Sequence, residues 1–113
     1  MSPLLISQQI ELTYHEAYGL CAEIYSWLSR PIDQNNKLQP SEVLAAAYLQ
    51  SAAKKITRRM YKKAGPYKIT FTAQEIIAVD QIINYYPVEL YSVLSKFERK
   101  ALNYDQLIAL HCG

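Results

Sequence analysis

Residues 54–63 read KKITRRMYKK, and this short stretch determines much of how the rest of the chain must be arranged. Basic pairs recur every four residues, and successive residues of an α-helix are about 100° apart, so the cations occupy roughly half of the helix circumference. Ile56 and Met60 fall on the other side. We therefore predict a helix with one buried apolar face and one positive face, which we term the basic stripe. It comprises Lys54, Lys55, Arg58, Arg59, Lys62 and Lys63.

The helix that carries the basic stripe is predicted over residues 42–64. Ser41 is a suitable N-cap, and Glu42 suits the positive end of the helix dipole. The Gly-Pro pair at residues 65–66 is a strong stop signal. Upstream of the stripe, residues 43–49 (VLAAAYL) are apolar on every side, so we expect this half of the helix to be buried.

Apolar residues with alternating spacings of four and three predict a first helix over residues 7–29. They are Ile10, Tyr14, Ala17, Cys21, Ile24 and Leu28. A polar run between two prolines predicts a loop over residues 31–40. Residues 67–71 (YKITF) alternate apolar with polar side chains and predict a short strand or an extended connector. Such a strand needs a partner, and residues 4–6 are the only evident candidate.

Two further helices are predicted towards the end of the chain. A capping box over residues 72–75 starts a third helix, which runs to about Tyr86. Pro87 suits the first position of a fourth helix. Residues 88–112 form either one helix or two, with Asn103 as the break. No internal repeat is evident.

These elements predict a mainly all-α fold: a four- to five-helix bundle or an orthogonal helical array, with room for one short extended segment at residues 67–71. The length indicates a single domain over residues 1–113. Hydrophobic residues make up 50% of the chain, which is enough for a substantial core.

Charge is distributed unevenly along the chain, although the net charge is only +2. Residues 43–74 contain seven basic residues and no acidic one, whereas the remainder contains five basic and ten acidic residues. Such a two-sided molecule can steer an anionic partner to one face, or orient self-association so that basic and acidic surfaces meet.

The sequence contains no signal for export or for membrane insertion. Its first residues lack a basic start and a long apolar run, and no stretch approaches the length of a membrane-spanning helix. The two cysteines, Cys21 and Cys112, do not form a disulfide framework. We therefore expect a cytoplasmic protein without a membrane partner.

The basic stripe is the strongest functional signal, and it favours nucleic-acid phosphates as ligands. Lys68 extends the stripe beyond the helix, and Tyr61 and Tyr67 flank it where they can stack on bases. Two alternatives remain: an acidic protein surface or self-contact, and a plain solvated face. The lack of compensating glutamates one turn away favours a partner outside the helix.

Tyrosine is unusually frequent, with ten residues in the chain. Tyr14, Tyr18 and Tyr25 lie within about 40° of one another on the first helix. They form either an aromatic contact surface for a partner or the edge of the core with hydroxyls reaching solvent. For Tyr14 and Tyr18 we favour the core edge.

Motifs for catalysis or metal binding are absent from the sequence. His15, Cys21, His111 and Cys112 do not have the spacing of a zinc site, and there is no Gly-rich phosphate loop or nucleophile elbow. Asp80 is an isolated acid in an apolar run, and we expect it on the solvent side of its helix or paired with a lysine, with a buried carboxylate of raised pKa as the alternative. We expect a non-enzymatic binding protein with no cofactor, metal or small-molecule substrate. The expected partner is nucleic acid. Alternatively, the protein is a structural or adaptor subunit that self-associates or binds another protein through its helices and tyrosines.

Overall fold

The computed structural model describes residues 5–30, 40–83 and 90–112, with side chains described as far as residue 106. In chain order the elements are β1 (Gln8–Leu12), α1 (Tyr14–Leu28), α2 (Pro40–Lys62), β2 (Tyr67–Phe71), α3 (Ala73–Ile82) and α4 (Tyr91–Cys112). The prediction of a mainly helical fold is confirmed, with four helices rather than five in this part of the chain. Residues 31–39 of the predicted loop, and Pro87, lie outside the described residues. No helix that the structure describes is long and apolar enough to cross a membrane.

The predicted first helix is wrong in its first turns, because residues 8–12 form a strand. Ile10 and Leu12 are buried while Gln9 and Glu11 are exposed, which is the alternation of a half-buried strand. The helix then begins after Thr13, whose side chain accepts a hydrogen bond from the Glu16 backbone N–H in a capping box.

The strand predicted at residues 67–71 is confirmed, but its predicted partner is wrong. β2 pairs with β1 in an antiparallel register in which Ile10 lies opposite Ile69. Because side chains alternate across a sheet, this register places Leu12 and Tyr67 on the same buried face as the two isoleucines.

The helix of the basic stripe is continuous, running from Pro40 to Lys62. It begins two residues earlier than predicted, so Ser41 lies inside the helix rather than at its N-cap. The expectation that its first half is buried is wrong: Val43 and Leu44 are 53% and 57% exposed. Packing against the described core starts with the half-buried Tyr48 and the fully buried Leu49.

The third helix starts at its predicted capping box and ends at Ile82, earlier than predicted. α4 is a single helix that continues through Asn103. Apolar residues that follow one another at spacings of four and three, starting with Leu90 just before the helix, form a seam that is buried as far as side chains are described. The seam comprises Leu90, Leu94, Phe97, Ala101 and Tyr104.

An internal duplication relates the two halves of the molecule, contrary to the expectation of no repeat. β1 and β2 each lead through a Thr-x-x-Glu capping box into a helix, and the same spacing separates Thr13 from Thr72 and Glu16 from Glu75. The strand register is centred on Ile10 and Ile69, which are themselves equivalent. The halves β1-α1-α2 and β2-α3-α4 are therefore related by an approximate two-fold axis through that pair.

The core is one cluster with residues from all six elements. The two-fold relation is not complete, since α2 packs closely against both α1 and α3, whereas α4 packs closely against α3 and only lightly against α1. α1 and α2 pack together as one pair of helices, and α3 and α4 pack together as the equivalent pair.

Candidate nucleic-acid interface

A groove on the outer side of the α1–α2 pair is the principal candidate site. Its volume of about 610 Å³ lies in the ordinary range for ligand sites, roughly 300–1,000 Å³. We term it the tyrosine groove. It is lined by Tyr14, Tyr18, Cys21, Ala22, Tyr25, Thr57, Met60 and Tyr61.

The tyrosines of this groove are all exposed, Tyr14 and Tyr25 by somewhat less than half of their surface and the other two by more than half. Tyr18 is 61% exposed and Tyr61 is 90% exposed, so the preference for a core-edge position of Tyr18 is wrong. Tyr14 and Tyr18 are stacked, with ring centroids 6.3 Å apart and an interplanar angle of 23°. α1 places three tyrosines on one face because residues three and four apart are neighbours on a helix, and α2 brings Tyr61 to the same groove.

The basic stripe borders the tyrosine groove. Lys54, Arg58 and Lys62 lie along a second hollow that shares Tyr25, Thr57 and Tyr61 with the groove. All three cations are exposed, and no carboxylate in the described part of the chain forms an ion pair with them. No carboxylate is among the described residues that line either hollow. Aromatic faces and unpaired positive charges therefore lie side by side.

Lys55 does not belong to the open part of the stripe. Its Nζ donates to Glu75 Oε1 at 2.6 Å and to the Thr70 carbonyl oxygen at 3.2 Å. This ion pair joins α2 to the start of α3, so Lys55 is a structural cation and the prediction that it binds a partner is corrected.

Tyr67 also has a structural role in place of the predicted stacking role. Its side chain is 0% exposed, and its hydroxyl donates to the Lys63 carbonyl oxygen at 2.7 Å. That carbonyl follows the last turn of α2, where backbone acceptors lack helical partners. A buried ring offers no face to a base.

The other predicted cations are exposed but lie outside the groove lining. Arg59 is on the last turn of α2, and Lys63 follows directly after the helix. Lys68 is on β2 opposite Glu11 of β1, so a neighbouring carboxylate offsets part of its charge.

Cys21 forms part of the floor of the tyrosine groove. Its Sγ lies 3.9 Å from the Ala53 carbonyl oxygen and 3.9 Å from Thr57 Oγ1. Burial raises the pKa of the Cys21 thiol, and the hydrogen bond to Thr57 offsets only part of that effect. The thiol is therefore protonated and weakly nucleophilic at neutral pH.

The equivalent surface of the other half, on α3 and α4, is acidic. Asp80 is equivalent to Cys21 by the spacing that relates the two capping boxes. Lys55 and Lys96, each ion-paired to one of the equivalent glutamates Glu75 and Glu16, relate α2 to α4, which makes Glu98 equivalent to Thr57 and Leu102 equivalent to Tyr61. Burial raises the pKa of Asp80, and the charges of Glu98 and Asp105 raise it further. Asp80 is half-buried with a raised pKa, as the alternative expectation had it, and no described lysine forms an ion pair with it.

Two parts of this arrangement were not predicted from the sequence. The face shared by Tyr14, Tyr18 and Tyr25 is visible in the helical spacing, but the packing that brings Tyr61 beside them is tertiary. The acidic counterpart becomes apparent only from the internal duplication. The chain was compared with protein-family models, curated proteins and solved structures, and none of them matches it.

Proposed function

We propose that this protein binds the phosphate backbone of nucleic acid through the open part of the basic stripe, Lys54, Arg58, Arg59 and Lys62. The observation that carries the proposal is that these side chains are exposed along one helix and have no ion-pair partner among the described carboxylates. Lys63 and Lys68 add positive charge beyond the end of α2. In this proposal the protein acts in the cytoplasm by binding rather than by catalysis.

The internal duplication provides a comparison that supports this function. One lysine is common to both halves. Lys55 of α2 and Lys96 of α4 are equivalent, and each is ion-paired to a buried glutamate. Lys54 and Lys62, in contrast, are replaced on α4 by Ser95 and Asn103. The structural cation is thus kept in both halves, and Arg58 and Arg59 are matched by Arg99 and Lys100, whereas Lys54 and Lys62 are present only beside the tyrosine groove. Lys54 and Lys62 form no ion pair with a described carboxylate, which favours a role in binding.

Phosphate binding predicts retention on a heparin or DNA column and elution by salt, because each neutralised phosphate releases condensed counterions. The double substitution Arg58→Glu and Arg59→Glu should abolish retention at moderate salt. Loss of two phosphate contacts should also reduce the slope of log K against log salt by about 1–2. Both side chains are exposed, so the fold should be unaffected, which far-ultraviolet circular dichroism can verify.

The matched control is Arg99→Glu with Lys100→Glu, at the equivalent positions of α4. It makes the same change in net charge on another surface. Retention that falls equally in both double variants would show that net charge alone drives binding, and retention that persists in the Arg58/Arg59 variant would refute the proposal.

A second function, as a subunit of a protein assembly, is favoured by the apolar start of α2. Val43 and Leu44 are both more than half exposed, and adjacent apolar side chains on one surface are typical of protein contacts. In this case light scattering should show an oligomer that Val43→Lys with Leu44→Lys dissociates. A monomer at all accessible concentrations would leave self-association without support.

A further inference from the structure

We infer that the ligand is single-stranded nucleic acid, whose unpaired bases enter the tyrosine groove while its phosphates lie against Lys54, Arg58 and Lys62. This inference rests on the proposed function and specifies its substrate class. It assigns to Tyr18 and Tyr61 a role in stacking on bases, and to the neighbouring cations the role of positioning the backbone.

The first argument is the exposure of the rings. A tyrosine that contributes to folding buries most of its ring and leaves the hydroxyl in water. Tyr61 is 90% exposed, and Tyr18 presents most of its surface next to the stacked Tyr14. Burial in the fold does not account for these side chains, whereas flat, accessible rings are what base stacking requires.

The second argument is that the tyrosine groove and the hollow along the cations are adjacent, because they share lining side chains. Tyr25, Thr57 and Tyr61 line both the tyrosine groove and the hollow along the cations. A polymer that alternates an aromatic base with a negative phosphate can fill both hollows at once. An acidic peptide would meet the cations but has no regular aromatic group for the rings.

The third argument distinguishes single strands from duplexes. In a duplex the faces of the bases are covered by their neighbours in the stack, so ring faces on a protein surface have nothing to stack on. A duplex would contact the cations and leave Tyr18 and Tyr61 unused. Stacking on aromatic side chains is largely independent of base sequence, so we expect little sequence preference.

The equivalent acidic surface on α3 and α4 supports a specific role for the groove. There Asp80 and Glu98 replace Cys21 and Thr57. These carboxylates repel phosphate, and Ser95 and Asn103 stand in place of Lys54 and Lys62, so the tyrosine groove is the more favourable of the two related surfaces for a nucleic acid. A strand is therefore expected to bind at one site per chain.

The test measures fluorescence anisotropy with three labelled ligands: an oligothymidylate of about ten nucleotides, an abasic strand of the same length and number of phosphates, and a duplex, whose charge density is higher. The intact chain should bind oligothymidylate at least about tenfold more tightly than the abasic strand. Tyr18→Ala and Tyr61→Ala should each weaken oligothymidylate binding by about tenfold and leave abasic binding unchanged. Phenylalanine at either position should preserve binding, since the ring face remains.

Tyr91→Ala is the matched control, because Tyr91 is an exposed tyrosine on α4 outside the groove. Its affinity for all three ligands should be that of the unsubstituted chain. Equal affinity for the abasic strand and oligothymidylate would overturn the inference and leave backbone binding intact. Absence of binding to all three ligands would refute the proposed function as well. If Tyr61→Ala instead dissociates an oligomer seen by light scattering, the groove is a contact between two copies of the chain and the inference is wrong.

Discussion

Glu16 and Glu75 are equivalent residues that join the two halves of the molecule by reciprocal contacts. Each accepts hydrogen bonds from a serine and a lysine on a helix of the other half: Glu16 from Ser92 and Lys96, and Glu75 from Ser51 and Lys55. Each lysine also donates to a strand carbonyl, Lys96 to Glu11 and Lys55 to Thr70, which are themselves equivalent.

Each glutamate therefore connects a strand, a capping box and a distant helix. Burial alone would raise the pKa of Glu75. The hydrogen bonds from Lys55, the Thr72 backbone and Ser51 outweigh this effect, so the pKa of Glu75 lies below its ordinary value of 4.5. The same balance, with Lys96, Thr13 and Ser92 as donors, lowers the pKa of Glu16.

Glu75→Gln should lower the free energy of unfolding by about 1–3 kcal/mol at pH 7, because the amide cannot accept all the hydrogen bonds of the carboxylate. A lowered folded pKa means that the ionised form stabilises the fold above pH 4.5, and that this contribution is lost as the pH falls through the folded pKa. The variant should accordingly show a shallower loss of stability in acid. Urea denaturation at pH 7 and at pH 3 measures both effects.

Glu23→Gln is the control for that measurement, since Glu23 has no ion pair among the described residues. It should change stability little at either pH. A Glu75→Gln variant as stable as the Glu23→Gln variant at pH 7 would show that the inter-half contact does not stabilise the fold.

Asp80→Asn should have the opposite effect and stabilise the protein at pH 7. The pKa of Asp80 is raised by burial and by Glu98 and Asp105. Its ionised form therefore destabilises the fold at high pH, and the penalty disappears as the pH falls towards the ordinary value of 3.8. The gain in thermal midpoint should be clear at pH 7 and small near pH 3.5.

Asp105→Asn separates the two causes of the raised Asp80 pKa, which are burial and charge repulsion. Asp105 is exposed, so its removal relieves only the repulsion. We expect a smaller gain than for Asp80→Asn. A decrease in stability on Asp80→Asn at pH 7 would mean that the carboxylate has a favourable partner, contrary to its raised pKa.

The sequence was sufficient to predict the basic helix and the mainly helical class, because both depend on local periodicity and on strong stop signals such as Gly65-Pro66. The strand at residues 8–12 was missed because Ile10 fits a helical spacing as well as a strand alternation, and only pairing with β2 decides between them. The duplication was missed because few identical side chains mark it. In the strand and capping-box segments they are Ile10 and Ile69, Thr13 and Thr72, and Glu16 and Glu75.

The candidate site was predictable as a list of cations but not as a surface. Lys55 and Arg59 both belong to the basic stripe, and the sequence does not show which of them is ion-paired. Only in the folded chain does Lys55 pair with a glutamate that lies twenty residues further along the chain. Which tyrosine faces solvent is likewise decided by tertiary packing, as the contrast between Tyr61 and Tyr67 shows.

Tyr67→Phe tests that contrast directly. Loss of the hydrogen bond from its hydroxyl to the Lys63 carbonyl should cost about 1 kcal/mol of stability. Affinity for oligothymidylate should not change, because the ring is buried. Tyr61→Phe is the matched variant and should alter neither stability nor affinity. A large loss of affinity on Tyr67→Phe with stability unchanged would mean that the Tyr67 hydroxyl contacts the ligand, contrary to its buried position.

Cys21 offers a test of groove occupancy that does not depend on charge. In a chain with Cys112→Ser, Cys21 should react slowly with a thiol reagent such as Ellman's reagent, because its pKa is raised by burial and little of the side chain is exposed. Saturating oligothymidylate should slow the reaction several-fold further, since Cys21 lies in the floor of the tyrosine groove beside Thr57 and Met60. The abasic strand, which has no bases to enter the groove, should protect much less at the same saturation. Reaction rates that are equal with and without bound oligothymidylate would place the bases elsewhere on the protein.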